Sequence, residues 1–428
     1  IVSKTLPTGS ADAPGPSATW IYTYDRAGNL VAEQSPRGAF FTTVSTYDFA
    51  NRLRSRSEPQ GTLEDPRDSA VTLYDYDEAG NLTRTTLPRT ADTGRHYETT
   101  TTYDAAGRVA TTTDTEGHVM TFTYDADGNV GSVTERGDEH AEARTTTFGY
   151  DRIGRRTTVT DPEGRVTTTV YDPVGNATSI VDPALDSHGS RATTTSTFDG
   201  LNRPRSLTDA EGNTSRFGYD AAGDRISVQD GRGPFYATRF FYDAAKRVIR
   251  TERPTGTPDN PGPVLIDTYD YDGVGNQIRH VDPRGVAYAT TTTYDARNLP
   301  LVVTVIGGLE SSPTPQSDVY RYDAVGNRIA HVDPRGEPCT TTYVYDAANR
   351  IVATTYAAGT DDAPRQVTET FAYDADGNLV RHQGIGGAGF VTLATYDGLG
   401  RRTSTTDVGT GQRESWAYDA FGNVVAHT

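Results

Sequence analysis

The chain has 428 residues, only 34% of them hydrophobic, one cysteine (Cys339) and a formal net charge of −17. So little apolar content, against a usual ~45–50%, excludes one large packed core, while 25 tyrosines and abundant threonine argue against disorder. Scattered acidic charge disfavours nucleic acid and anionic membrane as partners, one cysteine excludes an internal disulfide framework, and no apolar run approaches the roughly 18 residues of a bilayer span.

In chain order, residues 1–19 read as an irregular lead-in or partial repeat, and residues 20–428 as one uninterrupted repeat array. The recurring unit is Tyr-Asp-x-x-Gly-Asn/Arg, and a fixed period of this kind signals a repeat architecture. Its Gly-Asn form begins at Tyr24, Asp25 and Gly28 and returns at Tyr76, Asp77, Gly80; Tyr124, Asp125, Gly128; Tyr171, Asp172, Gly175; Tyr271, Asp272, Gly275; Tyr322, Asp323, Gly326; Tyr373, Asp374, Gly377; and Tyr418, Asp419, Gly422. Further copies start at Tyr47, Tyr103, Tyr150, Phe198, Tyr219, Tyr242, Tyr294, Tyr345 and Tyr396, seventeen in all.

Within a repeat, such as residues 104–124, two Thr/Val/aromatic runs alternate with two Asp-and-Gly turns, which reads as strand, turn, strand, turn. Three residues after the motif Asp stands Gly in twelve copies, Asn in four (Asn51, Asn202, Asn298, Asn349) and Lys246 in one. Gly and Asn tolerate positive φ most readily. The pattern predicts a type I turn followed by a left-handed residue, with the Asp accepting turn N–H groups.

The second turn differs. Asp161-Pro162-Glu163-Gly164, Asp282-Pro283-Arg284-Gly285 and Asp333-Pro334-Arg335-Gly336 place Pro where a type I turn wants it. In other repeats this end expands into Pro-, Gly- and Asp-rich stretches, expected as loops, at residues 58–70, 253–264 and 307–317. Motif spacing is therefore bimodal, nine intervals of 21–23 residues and seven of 26–29. One rim of the sheet is constant and the other decorated, and insertions gathered on one face often mark a contact surface. A slower rhythm alternates motifs ending in Asn with motifs ending in Arg, interrupted at residues 224 and 298.

Two strands per repeat give about 34 strands and, at ~4.8 Å each, a ribbon roughly 160 Å long. Open sheets of that size curl. Closed into one ring the ribbon would be roughly 50 Å across, too wide to fill with side chains, so a hollow is expected.

These residues resemble the YD-repeat (RHS-repeat) family over nearly the whole chain. The family includes bacterial Rhs polymorphic toxins, the cocoon component of insecticidal toxin complexes, wall-associated proteins and teneurins. The resemblance implies a spiralling, hollow β-shell that, in the toxins, encloses a C-terminal toxic domain. The family's plug, self-cleaving core end and variable toxin do not match any residues here, so it implies no protease or toxin activity for this segment. Ile1 is preceded by no initiator Met or leader, and the chain opens and closes inside the pattern, so it reads as an excerpt of a longer polypeptide.

Acidic residues recur at turn positions, whereas a catalytic carboxylate pair needs a unique environment. No Gly-x-Ser-x-Gly elbow or phosphate loop is present, and neither a catalytic residue, a metal nor a cofactor is expected. One pattern stands apart: His280, His331, His382 and His427 each lie four residues after a motif Asn. Such a column would suit a metal or a pH switch, because His titrates near neutrality. The preferred reading is a half-buried strand position copied by duplication. Exposed tyrosines would suit glycan recognition, but 18 of the 25 precede an Asp at a strand end, where packing between hairpins is preferred.

The expectation is an all-β array of tandem hairpins forming a curled, spiralling hollow shell, without a catalytic centre, that encloses a toxin or other polypeptide cargo. The alternative is an extracellular adhesion or glycan-binding array. Either implies a secreted or cell-surface protein, with a secretion apparatus or surface glycan as a further partner.

Overall fold

The structure, a computed structural model, describes every residue except 10–13, 91–95, 137–141, 186–190, 310–311, 361–362 and 420. Thirty-five strands form one antiparallel sheet, and a two-stranded hairpin, Gly256–Thr257 with Asn260–Pro261, stands outside it. Strands pair with their neighbours in sequence, so the sheet is a simple meander of hairpins. Threonine-rich runs supply the ladder: Thr100, Thr101 and Thr102 face Thr113, Thr112 and Thr111, β-branched residues suited to a pleated surface wet on both sides. The segment expected as a lead-in holds the strand Val2–Gly9, paired to Pro14–Tyr24 with Val2 opposite Tyr22.

At each motif the ladder slips by one residue. Thr102 faces Thr111 but Tyr103 faces Val109, a bulge that sharpens local twist and bends the strand.

The expanded ends differ from the loops expected of them. Residues 58–70 lie mostly in two long strands, Leu53–Gly61 and Pro66–Tyr76, paired out to Gly61 and Pro66. Likewise Pro300–Leu309 pairs with Ser312–Tyr322, with residues 310–311 of the expected loop outside the described residues. Backbone N–H and C=O groups are better satisfied by extending the ladder, and proline is absorbed where the ladder skips: the register shifts between Glu58 and Gln60, around Pro59. Residues 253–264 carry the small separate hairpin instead.

Among the described residues only eight apolar side chains are buried, so no second layer covers the sheet. Several of them, Phe41, Val281, Ala289, Val332 and Val391, cluster at the decorated rim beside single 3-10 turns such as Ala39–Phe41 and Val286–Tyr288.

The ribbon does not close as one ring. The hairpin tip after the first motif touches the turn of the fourteenth, through Arg37 and Asp346, and the tip after the third touches the sixteenth, through Arg89 and Asp397. One turn of the spiral therefore takes about twelve and a half hairpins, a circumference of roughly 120 Å and a diameter near ~38 Å between backbones. This corrects the ~50 Å ring: strand twist and the repeated bulges turn the ribbon sooner, and successive turns overlap.

Candidate functional site: the two rims of the wall

Each motif turn is built alike. Asp25 N–H donates to Asn29 O, Gly28 N–H to Asp25 O, and the carboxylate oxygen Oδ1 accepts from the N–H groups of Ala27 and Asn29. The left-handed position is filled as expected by Asn51, Asn202, Asn298 and Asn349, with φ of 61–65°, and Lys246, the departure from the Gly/Asn pattern, takes it too at 63°. The Asn29 side-chain amide holds the Asp25 carboxyl below the usual carboxylate range, as Asn81, Asn129 and Asn423 do for Asp77, Asp125 and Asp419.

Tyrosine is used for its hydroxyl as well as its ring. Tyr47 Oη donates to Leu30 O at 3.1 Å, Tyr76 Oη to Leu53 O at 3.0 Å and Tyr418 Oη to Arg402 O at 2.8 Å. The same bond, to the residue just past the preceding motif, recurs from Tyr103 to Tyr396. Each hairpin is thus pinned to its predecessor. Phe198 is the one motif aromatic without the hydroxyl. Phe198→Tyr should reach Ala177 O and raise stability by about 1 kcal/mol, read as a higher urea midpoint with unchanged slope.

The structure also explains the alternation of Asn and Arg. Arg52 bonds its own Asp48 through Nε, lies over the Tyr76 ring at 4.8 Å, and donates from Nη1 to Asp77 O at 3.0 Å. Arg155, Arg247 and Arg401 repeat this toward Asp172, Asp272 and Asp419. Where the next turn has a left-handed Asn, the shorter Asn meets it instead: Asn29 Nδ2 donates to Asn51 Oδ1, and Asn276 to Asn298, both at 2.9 Å, and Asn176 and Asn327 do likewise to Asn202 and Asn349. Long arginine links and, at four turns, short Asn–Asn links therefore share this rim.

Both interruptions of the rhythm are compensated. At residue 224 Asp replaces Asn, and its carboxylate lies 3.2 Å from Lys246 Nζ, so an ion pair stands where Asn–Asn stands elsewhere. The second falls at Leu299, beside Asn298, and Arg297 makes the link instead, to Asp295 and to Asp323 O at 2.8 Å. Asp224→Asn or Lys246→Asn alone should each cost more than the double replacement, with a coupling of roughly 0.5–1 kcal/mol in a double-mutant cycle.

Rim meets rim at the seam between turns. Arg37 Nη1 and Nη2 donate to Asp346 O at 2.8 Å and Ala347 O at 3.0 Å. Ala347 N–H donates to Gly61 O at 2.8 Å and Arg350 Nη2 to Gln60 Oε1 at 3.0 Å. Arg89, its side chain only 14% exposed, lies over the Tyr97 ring at 4.4 Å and bonds Asp376 at 2.7 Å, Tyr396 O at 3.1 Å and Asp397 O. Gly398 N–H donates to Glu116 Oε1, and any side chain at Gly398 would strike the Tyr97 ring. Arg144 covers the Phe421 ring at 4.7 Å. Two clefts of about 630 and 530 Å³ flank the seam, sharing Gln60 and Arg350 in their walls.

The four histidines occupy one register position, opposite Tyr269, Tyr320, Phe371 and Trp416. Each ring stacks on its partner at 4.9–5.1 Å. His280 and His331 also bond Asp267 at 2.9 Å and Asp318 at 2.6 Å, while His382 and His427 stand 4.0 Å from Glu369 and Glu414. Two hairpins separate successive members, roughly 19 Å, too far to share one ion. Among the described residues no group of three or more His, Cys, Asp or Glu converges as a metal set would. Cys339 sits half-buried in the 3-10 turn Glu337–Cys339.

Sequence reasoning missed the seam residues Arg37, Arg89, Glu116 and Gln60. One signal was available: Ser35-Pro36-Arg37-Gly38 has Ser where related turns carry Asp, which leaves Arg37 without the carboxylate that holds Arg284 and Arg335.

A hairpin ribbon wound into overlapping turns, coreless and joined rim to rim, defines a shell-like repeat protein. The chain matches the teneurin YD-shell model over residues 55–206 and the RHS repeat model over residues 198–234, 322–361 and 396–428. It belongs to the YD-repeat (RHS-repeat) family. No curated protein sequence matches it. Among solved structures it is similar to the crystal structures of TcdB2-TccC3-TEV (TM-score 0.52) and TcdB2-TccC3-Cdc42 (TM-score 0.51), each at 17% identity over 96% of this chain. It spans 26% of the length of either, and at that identity the likeness is one of fold.

Proposed function

We propose that this array is a non-catalytic wall segment that encloses a polypeptide cargo, a toxin domain of the Rhs type, in a protein exported from its cell. The observation that carries this reading is the seam. A ribbon returning on itself after about twelve and a half hairpins leaves, once side chains are allowed for, a lumen roughly 28 Å wide, enough for an unfolded or small folded chain. A wall wet on both faces suits that role, since it offers a mostly polar, non-adhesive lining. The fold it shares with TcdB2-TccC3-TEV and TcdB2-TccC3-Cdc42 supports the same reading. The motif tyrosines, their hydroxyls bonded within the wall, weigh against a glycan-binding ladder.

Co-expression with the polypeptide encoded downstream, followed by limited proteolysis, tests it. Cargo that survives a protease which degrades it when free supports enclosure. Cargo cleaved equally fast in both samples rules it out.

A further inference from the structure

One charged side chain at the seam is left incomplete by the wall itself. At the tips of Arg232, Arg284 and Arg335 the guanidinium Nε donates at 3.0 Å to an Asp two residues earlier, Asp230, Asp282 and Asp333. Two residues before Arg37 stands Ser35, whose hydroxyl accepts from the Arg37 backbone N–H at 3.3 Å and not from its Nε. Arg37 gives Nη1 and Nη2 to the carbonyls of Asp346 and Ala347. Its Nε is buried without a hydrogen-bond partner, and among the described residues no carboxylate pairs with this guanidinium. Arg89, which makes the matching contact two hairpins on, has Asp374 and Asp376 beside it. Burial pulls the Arg37 pKa below that of an ordinary arginine, against the raising influence of Asp323 and Asp346. A buried donor left unpaired is costly, and most costly on a charged group.

Beside this donor lies the larger seam cleft, about 630 Å³, within the range of small-molecule sites. Trp20, Ser35, Arg37 and Phe41 form one wall of it and Asn349 and Gly377, on the next coil, the other. Both walls are therefore in place whatever coils precede or follow. Three carboxylates border the cleft. Asp376 is held by Arg89 and Glu58 by Arg56, while Glu33 has no cationic partner among the described residues.

The cleft thus presents one unanswered charge of each sign. Residue 35, where related turns place the carboxylate, is two steps along the chain from Glu33, roughly 7 Å. An α-amino acid whose carboxylate and ammonium each make a hydrogen bond of about 2.8 Å bridges groups roughly 8 Å apart. Phe41, stacked on Arg37 at 4.1 Å, and Trp20 supply apolar surface for its side chain.

We propose that this cleft binds a free α-amino acid with an apolar side chain, its carboxylate on Arg37 and its ammonium toward Glu33. Reading both charges separates a free amino acid from the end of a polypeptide, which carries only one of them on its last residue. The site is independent of what the wall encloses.

Equilibrium dialysis of the intact chain against radiolabelled phenylalanine and leucine tests this. At least one should bind saturably. N-acetylphenylalanine and phenylalaninamide, each lacking one charge, should displace the label only at concentrations at least about tenfold above unlabelled phenylalanine. Ser35→Asp supplies the carboxylate of the related turns, so it should keep its circular dichroism and lose binding by the same factor or more. Glu33→Gln should erase the advantage of phenylalanine over its N-acetyl form. If Ser35→Asp does not fold, the two analogues decide on the unmodified chain. No saturable binding of either amino acid, displacement by both analogues as effective as by phenylalanine, or a folded Ser35→Asp that binds like the wild type would each overturn the proposal.

Discussion

Arg89→Ala is expected to part the seam while leaving the strand ladder intact. The side chain makes three hydrogen bonds across the turns and covers Tyr97. Its removal strands Asp376 and Asp374, whose side chains are only 17% and 14% exposed, without their guanidinium. Breaking a buried pair from one side costs about 3–5 kcal/mol; partial exposure here puts the expected loss near the lower end, roughly 3 kcal/mol. Hairpins on both sides keep their tyrosine hydroxyl bonds and their neighbours, so the loss should be local. Hydrogen exchange should quicken in the turn around Asp397 and in residues 84–90, with protection of distant strands unchanged. Small-angle scattering should show a larger radius. Uniformly faster exchange throughout would mean that the seam is not a separate unit of stability.

Acid should dismantle the wall from its turns. The carboxyls of Asp25, Asp77, Asp125 and Asp419 are held low by an Asn side chain, and those of Asp48, Asp104 and Asp151 by the backbone N–H of Arg52, Arg108 and Arg155. A carboxylate whose folded pKa lies below its unfolded one stabilises the fold above the unfolded pKa, and that contribution vanishes as pH falls through the folded pKa. Stability should therefore be flat above about pH 5 and drop steeply below about pH 4. These turns are exposed to solvent and each contributes little, but the same titration recurs along the array, so the transition should be steep in pH. Asp104→Asn keeps an acceptor but removes the titrating group, and should lower neutral-pH stability while making the acid slope shallower. An acid midpoint unmoved by that change would locate the sensitivity elsewhere.

Much of the wall was legible from local chemistry alone. Positive φ at Asn51 and Asn202, the Asp-centred turns and the hairpin meander all follow from residues within five positions of one another, whereas Lys246 departs from the Gly/Asn pattern and still takes positive φ. What escaped depends on partners remote in the chain. Nothing near Arg89 in sequence announces Tyr396, 307 residues on. The compensation of Asp224 by Lys246 is visible only once adjacent turns are known to touch. The long stretches at residues 58–70 look like loops because Pro and Gly punctuate them, yet alternate residues still pair, and pairing wins. The histidines could be aligned by spacing, but their aromatic partners, Tyr269 to Trp416, required the register.

The succession of arginine and asparagine turns constrains how such a wall can change length. Losing a single hairpin would set two turns of one kind side by side, and would bring seam tips such as Arg37 and Arg89 against turns whose carbonyl an arginine of their own rim already holds, as Arg297 holds Asp323 O. Losing or gaining two preserves both patterns. Parity, more than total size, is then what duplication and deletion must respect, and genes of this kind should grow and shrink by even numbers of hairpins.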